Sequence, residues 1–195
     1  AVSLYGSSFA DEDMECVVTS SQLEELDLQR TTIGDVGLER VGRMLGLKHL
    51  SLGDYSTQIH DEGLAHLAGL VQLERLDLNR TDITDAGLIH LMGMRKLKEL
   101  ELRETNVDAG LLQLTGLSQL ERIDLSSTDL SDATAISLAA IKSLKHIDVS
   151  HTRVTSAGAR SLKSRLPELQ ISPRVFPDHP DEHAIVLELE ASGVR

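Results

Sequence analysis

The sequence predicts an α/β solenoid, a horseshoe with a parallel β-sheet on its concave face and short helices on its convex face. Three observations predict it. The pattern Leu-x-x-Leu-x-Leu-x-x-Thr-x-Ile recurs six times, opening at Leu23, Leu47, Leu73, Leu97, Leu120 and Leu144 with spacings of 24, 26, 24, 23 and 24 residues. Most copies run on into Asp-x-Gly-Leu and a second apolar stretch. A degenerate earlier copy fits an offset of 24, with Val2 on Leu26, Leu4 on Leu28, Phe9 on Ile33, Asp11 on Asp35 and Met14 on Leu38. Periods of about 20 to 29 residues with such leucines belong to repeats that bury their apolar faces against one another.

Each element follows from local chemistry. Residues two apart face one side of a strand, so Leu26 and Leu28, Leu76 and Leu78, Leu100 and Leu102, Ile123 and Leu125, and Ile147 and Val149 point into the core. Thr31, Thr81, Thr105, Thr128 and Thr152 then leave each strand. Their hydroxyls are expected to bond along the stack to the neighbouring turn. Asp35, Asp61, Asp85 and Asp132, with Ser156 in the last copy, are placed as N-caps of the following helices. In those helices Leu64 and Leu67, or Leu88 and Leu91, share the buried stripe. The repeats occupy residues 1–171, and 172–195 form a C-terminal cap or tail. Ala1 enters inside a repeat, which suggests a fragment or something upstream covering Val2, Leu4 and Tyr5.

Residues 73–97, LERLDLNRTDITDAGLIHLMGMRKL, carry a family resemblance. They resemble the bacterial leucine-rich repeats with a Thr-x-Ile-Thr-Asp-Ala-Gly-Leu core, abundant in planctomycete-type proteins and similar to repeats that follow F-box domains in eukaryotes. The resemblance covers roughly residues 1–171, and the closing Leu166-Pro167-Glu168-Leu169-Gln170-Ile171 is similar to the usual end of such arrays. It implies an interaction scaffold without catalytic residues, so no residue role is carried over.

Composition narrows the function further. A net charge of −12 and a pI near 5 argue against nucleic acid and anionic membrane as partners and favour basic or neutral ones. No apolar run reaches the roughly 18 residues needed to insert into a membrane. Cys16 is the lone cysteine, so there is neither a disulfide framework nor a thiolate metal cluster, and the compartment stays open.

Repeats in register turn sequence columns into ladders. The column Glu24, Lys48, Glu74, Lys98, Glu121, Lys145 alternates in sign and should satisfy itself. The column Asp27, Ser51, Asp77, Glu101, Asp124, Asp148 contains four consecutive acids that repel one another. A basic partner would relieve that repulsion; the alternative is neutralisation by the diagonal arginines Arg75, Arg103 and Arg122. Beyond it the outward positions vary, as in Gln29, Asn79 and Arg103, then Arg30, Asp54, Arg80 and Glu104. The 26-residue repeat carries its two extra residues at Gly53-Asp54-Tyr55-Ser56-Thr57. Tyr55 is therefore a candidate contact, with Arg30 and Arg80 flanking it as an Arg–Tyr–Arg patch.

Other chemical signals are weaker. His66 and His90 occupy equivalent exposed helix positions. Asp178-His179-Pro180-Asp181-Glu182-His183 lacks metal-ligand spacing, and Ala184–Glu190 reads as a strand that shields the last repeat. No nucleophile elbow or phosphate loop is present. The expected function is a protein–protein interaction module without cofactor or catalysis. Its partner, a protein with a basic surface, would meet Arg30, Asp54, Tyr55, Asp77, Arg80, Glu101, Arg103, Asp124 and Asp148. A structural spacer array in a larger surface or envelope protein is the alternative. The sequence does not determine the oligomeric state.

Overall fold

A computed structural model of the chain describes residues 1–18 and 22–173. Eight short strands, β1 (Val2–Ser3), β2 (Glu25–Asp27), β3 (His49–Ser51), β4 (Arg75–Asp77), β5 (Glu99–Glu101), β6 (Arg122–Asp124), β7 (His146–Asp148) and β8 (Gln170–Ser172), form one parallel sheet in sequence order. The register keeps equivalent leucines opposite one another: Leu26 faces Leu50, Leu76 faces Leu100, and Ile123 faces Ile147. All six lie at 3 % exposure or less. The degenerate first copy pairs as expected, Val2 opposite Leu26. β8, from the closing Gln170-Ile171, lies outside the six-copy pattern and pairs Ile171 with Ile147.

The convex side is helical. Met14–Val18, Asp35–Val41, Asp61–Leu67, Asp132–Ser137 and Ser156–Arg165 are α-helices, whereas Gly87–Leu91 and Ala109–Gly116 are 3-10 helices. A 3-10 helix rises about 2.0 Å per residue against 1.5 Å in an α-helix, so these two segments are more drawn out than their α-helical counterparts. Leucines at the inner faces of strands and helices merge into one continuous core.

The aspartates that open the helices do not cap them. Asp35, Asp61 and Asp132 are the first helical residues, and the residue before each occupies the cap position. Side chains that do cap belong to Ser131 and Thr155, the latter one residue before Ser156. The aspartates instead accept hydrogen bonds from the following repeat. Gly34 donates its amide to Asp11 at 2.8 Å, His60 to Asp35 at 2.9 Å, Thr84 to Asp61 at 2.9 Å, Asp108 to Asp85 at 2.7 Å, and Thr155 to Asp132 at 2.8 Å. The glycine two residues beyond makes room for this. A Cβ on Gly63, Gly87 or Gly158 would overlap the carboxylate of Asp35, Asp61 or Asp132. Asp-x-Gly is thus a coupling between repeats, with each aspartate bridging into the cleft its successor's glycine leaves open.

In the 23-residue repeat the residue before the aspartate is missing, and Asp108 serves twice. Its amide donates to Asp85, while its carboxylate accepts from the Ser131 amide at 3.1 Å and hydroxyl at 3.0 Å. Burial pushes the Asp108 carboxyl up, but the hydroxyls of Thr134 and Ser131 and the Ser131 amide outweigh it and hold the group below its ordinary value. Thr134 stands where other repeats have glycine, and its hydroxyl joins the same carboxylate.

The threonine column also bonds differently from expectation. Thr31, Thr81, Thr105, Thr128 and Thr152 donate to the carbonyl three residues earlier in their own repeat, at 2.6 to 2.7 Å, rather than along the stack. This closes the turn leaving each strand. The residue before each threonine, Arg30, Arg80, Glu104, Ser127 or His151, sits in the left-handed region at φ 55 to 59°. Such a conformation costs a side-chain-bearing residue roughly 1–2 kcal/mol. It persists because the same turns stay on the ladder: Arg80 donates its amide to Arg103 at 2.7 Å and Ser127 to Ser150 at 2.7 Å. In the 26-residue repeat, Asp54-Tyr55-Ser56 replaces the single left-handed residue.

Candidate partner-binding site

The concave face consists of the strand positions that alternate with the buried leucines. Just ahead of the strands, a first exposed column closes on itself: Lys48 pairs with Glu24 at 2.7 Å, Lys98 with Glu74 at 2.6 Å and Lys145 with Glu121 at 2.8 Å. Its lysines hold Glu74 and Glu121 below the ordinary carboxylate range. Sequence reasoning passed over the next column, Glu25, His49, Arg75, Glu99, Arg122 and His146. Period-two alternation sets it on the same face as the acidic ladder, which is the signal that finds it.

That column takes the arginines expected to neutralise the ladder. Arg75 pairs with Glu99 at 2.7 Å and Arg122 with Glu99 at 3.8 Å, while Arg103 pairs with Glu104 at 3.0 Å. Among the described residues no ion pair reaches Asp77, Glu101, Asp124 or Asp148. Local hydrogen bonds hold these acids instead. Ser126 donates its amide to Asp124 at 2.8 Å, and Ser150 donates amide and hydroxyl to Asp148 at 2.8 and 2.5 Å. Asp-turns of this kind explain why the position favours aspartate. Asp77 is the exception in depth, only 7 % exposed. Burial pushes its carboxyl up to about 6; the Asn79 amide and Gln29 side chain oppose the rise, and the charges of Glu101 and Asp27 add to it.

Over β4 to β8 the face hollows into a groove of about 550 Å³. Arg75, Glu99 and Arg122 line one side, with His146 beyond them, while Glu101, Asp124 and Asp148 line the other. Tyr55 does not reach it.

Tyr55 lies instead on the rim where the strands end, 70 % exposed. Its hydroxyl donates to Glu104 across the intervening repeat, and the Arg80 guanidinium stacks over its ring at 5.3 Å. Glu104 is the hub: Nε of Arg80 lies 3.3 Å and Nε of Arg103 3.0 Å from its Oε1. The Tyr55 hydroxyl, then Arg103 and Arg80, hold its carboxyl at about 2. Of the two arginines expected to flank Tyr55, the structure sets Arg80 against it and not Arg30. Arg30 turns away to Asp54, at 3.5 Å, and stacks over Tyr5 at 5.4 Å. The expected site residues thus divide: Glu101, Asp124 and Asp148 line the groove, Arg80, Arg103 and Tyr55 gather round Glu104, and Arg30 with Asp54 forms a separate pair.

The tail sequences Asp178–His183 and Ala184–Glu190 lie outside the described residues. Among the described residues no cluster of His, Cys, Asp and Glu is arranged to hold a metal ion, and no helix is long and apolar enough to cross a membrane.

Known proteins agree with this geometry. A leucine-rich-repeat family model matches residues 19–42, 72–92 and 140–163. The unmatched stretches hold the 26-residue and 23-residue repeats and the Thr134 substitution. No curated protein sequence matches the chain. An internalin C2 (inlC2) from Listeria monocytogenes superposes with a TM-score of 0.61 at 23 % identity, over 87 % of this chain and 79 % of that one. An internalin (inlF) from the same organism gives 0.57 at 19 % identity, over 80 % of this chain. The matched region spans about half, 48 %, of that internalin chain. Strand register, buried leucine ladder and these matches together make the chain a leucine-rich-repeat solenoid.

Proposed function

We propose that the chain is a protein-interaction module, not an enzyme, whose partner presents basic side chains to the concave groove over β4 to β8. One observation carries this reading. The groove's acids Glu101, Asp124 and Asp148 make no direct ion pair among the described residues, although Arg75 and Arg122 line the same hollow and spend their charge on Glu99. Carboxylates stacked at the roughly 4.8 Å spacing of parallel strands repel one another. A lysine or arginine from outside relieves that repulsion, and complementary potential steers encounter. The Thr-x-Ile-Thr-Asp-Ala-Gly-Leu wording of residues 81–88 is the ground for grouping the chain with bacterial repeats of this kind.

Calorimetric titration with an oligo-lysine peptide at low and high salt tests the reading. Saturable, salt-sensitive binding is expected, weakened about tenfold or more in an Asp124→Asn/Asp148→Asn variant. Equal binding by parent and variant would sink it. The closed Glu24 to Lys145 column favours the spacer reading, and absence of any oligo-lysine binding would support that alternative.

A further inference from the structure

The two tyrosines of the chain, Tyr5 and Tyr55, are its only ones, and both stand on the strand-end rim. Each is roofed by an arginine from the next repeat, Arg30 over Tyr5 and Arg80 over Tyr55, at 5.4 and 5.3 Å. Both arginines owe this placement to the left-handed turn, at φ 55 and 58°. The rings remain 52 % and 70 % exposed. Rigid aromatic rings beside guanidinium groups are the composition on which protein interfaces anchor.

The rim also differs in charge from the rest of the molecule. Arg30, Arg80 and Arg103 make direct ion pairs only with Asp54 and Glu104, three guanidinium groups on two carboxylates within a chain of −12, with the Asp124 charge acting on Arg103 from farther off. The arginines use Nε for their carboxylates: Arg30 toward Asp54, Arg80 and Arg103 toward Glu104. Among the described residues nothing takes the terminal Nη pairs of these three side chains. A guanidinium with an open Nη edge is a fork shaped for a carboxylate.

We propose that this rim is a second docking surface, one that takes an acidic protein segment whose carboxylates meet Arg30, Arg80 and Arg103 while its apolar side chains cover Tyr5 and Tyr55. The proposal rests on the reading of the chain as an interaction module and adds a contact of opposite chemistry to the groove. A partner using both surfaces is bipolar, with basic residues over β5 to β7 and acidic ones at the strand ends over β1 to β5. That polarity gives one docking direction, because the reversed segment would set acids against Asp124 and Asp148 and bases against the arginines.

The tyrosine count supplies the test. In the chain labelled with meta-fluorotyrosine, the fluorine resonances come from Tyr5 and Tyr55 alone, so both report the rim. The probe is a tyrosine-free peptide of Glu, Asp and Leu, with oligo-lysine as the second arm. The acidic peptide is expected to shift both resonances saturably, with an affinity that falls about tenfold in an Arg80→Gln/Arg103→Gln variant of unchanged thermal melt. Resonances unmoved at about millimolar acidic peptide would overturn the rim proposal, as would a variant that binds like the parent. The oligo-lysine arm, read with Asp124→Asn/Asp148→Asn, reports the groove separately, so failure at one surface is distinguishable from failure at the other.

Discussion

Gln29 and Asp77 lie two repeats apart, yet the Gln29 amide Nε2 donates to Asp77 Oδ2 at 2.5 Å. The intervening repeat permits it by being small at both facing positions, Ser51 and Gly53. A Cβ on Gly53 would overlap Asp77 and crowd Asn79. On its other side, the Asn79 amide donates to Asp77 Oδ1 at 2.9 Å, and the Asn79 side chain passes the chain of bonds to Glu101 at 2.6 Å. The result is a polar rail over four strands with a nearly buried acid at its centre.

That acid makes stability depend on pH in an unusual direction. The folded-state value of about 6 lies above the ordinary 3.8, so the native state holds the proton more tightly. Asp77's contribution is therefore fully present below pH 3.8 and is lost as pH rises through 6. A rise of about two units corresponds to roughly 3 kcal/mol. Asp77→Asn keeps the polar shape without the charge. In urea melts the variant should exceed the parent by about 1–3 kcal/mol near pH 7, and the gap should close toward pH 4. A gap that stays constant with pH would show that Asp77 is not desolvated.

The Asp-x-Gly coupling predicts non-additive mutations. Asp61→Ala removes acceptors for the Thr84 amide and hydroxyl, at 2.9 and 2.6 Å, and should cost about 2–3 kcal/mol. Gly87→Ala drives a Cβ into the same carboxylate and should cost about 1–3 kcal/mol. With Asp61 already truncated, the added methyl enters vacated space, so the double variant should be less destabilised than the sum of the singles by about 1 kcal/mol or more. Simple additivity in thermal melts would refute the shared-cleft account.

These relationships mark where the sequence is legible and where it is not. Leu26, Leu50, Leu76 and their successors are readable because burial depends on period alone, and the period survives one insertion and one deletion. Asp35 and Asp61 are misread as caps because local rules see a helix start, whereas their donors His60 and Thr84 lie 25 and 23 residues away. The threonine column fails the other way, its acceptors being three residues back when a neighbour repeat was expected. Arg75 and Arg122 were legible as charges but not in their choice of Glu99 over the acidic ladder, since the unread column between them holds the closer carboxylate. Glu104 is a hub only because a left-handed backbone turns it toward Tyr55 and Arg103, which no side-chain pattern encodes.

Left-handed turns also leave room for improvement. Ser127 sits at φ 59° without an aromatic partner, and its ladder bond to Ser150 uses only backbone. Ser127→Gly relieves the Cβ strain while adding entropy to the unfolded chain, so a net gain of about 0.5–1 kcal/mol is expected. A loss in denaturant melts would mean that the Ser127 side chain holds the turn.

At the rim, the hydroxyl of Tyr55 and the carboxylate of Glu104 control each other's titration. Glu104 is held at about 2 by the Tyr55 hydroxyl first, then by Arg103 and Arg80, and the same bond raises the Tyr55 phenol. Tyr55→Phe removes that leading cause and leaves both arginines in place. The Glu104 carboxyl should then titrate at a higher pH, still below its ordinary 4.5, as read from side-chain carboxyl NMR shifts. Because the value is depressed, the carboxylate's favourable contacts are fully present above its ordinary 4.5 and are lost as pH falls through about 2 in the parent, and at a higher pH in the variant. Glu104→Gln should conversely let the Tyr55 phenol ionise at lower pH in ultraviolet absorbance. If neither titration moves, the two groups are not bonded in solution, and Tyr55 is then pinned by Arg80 alone.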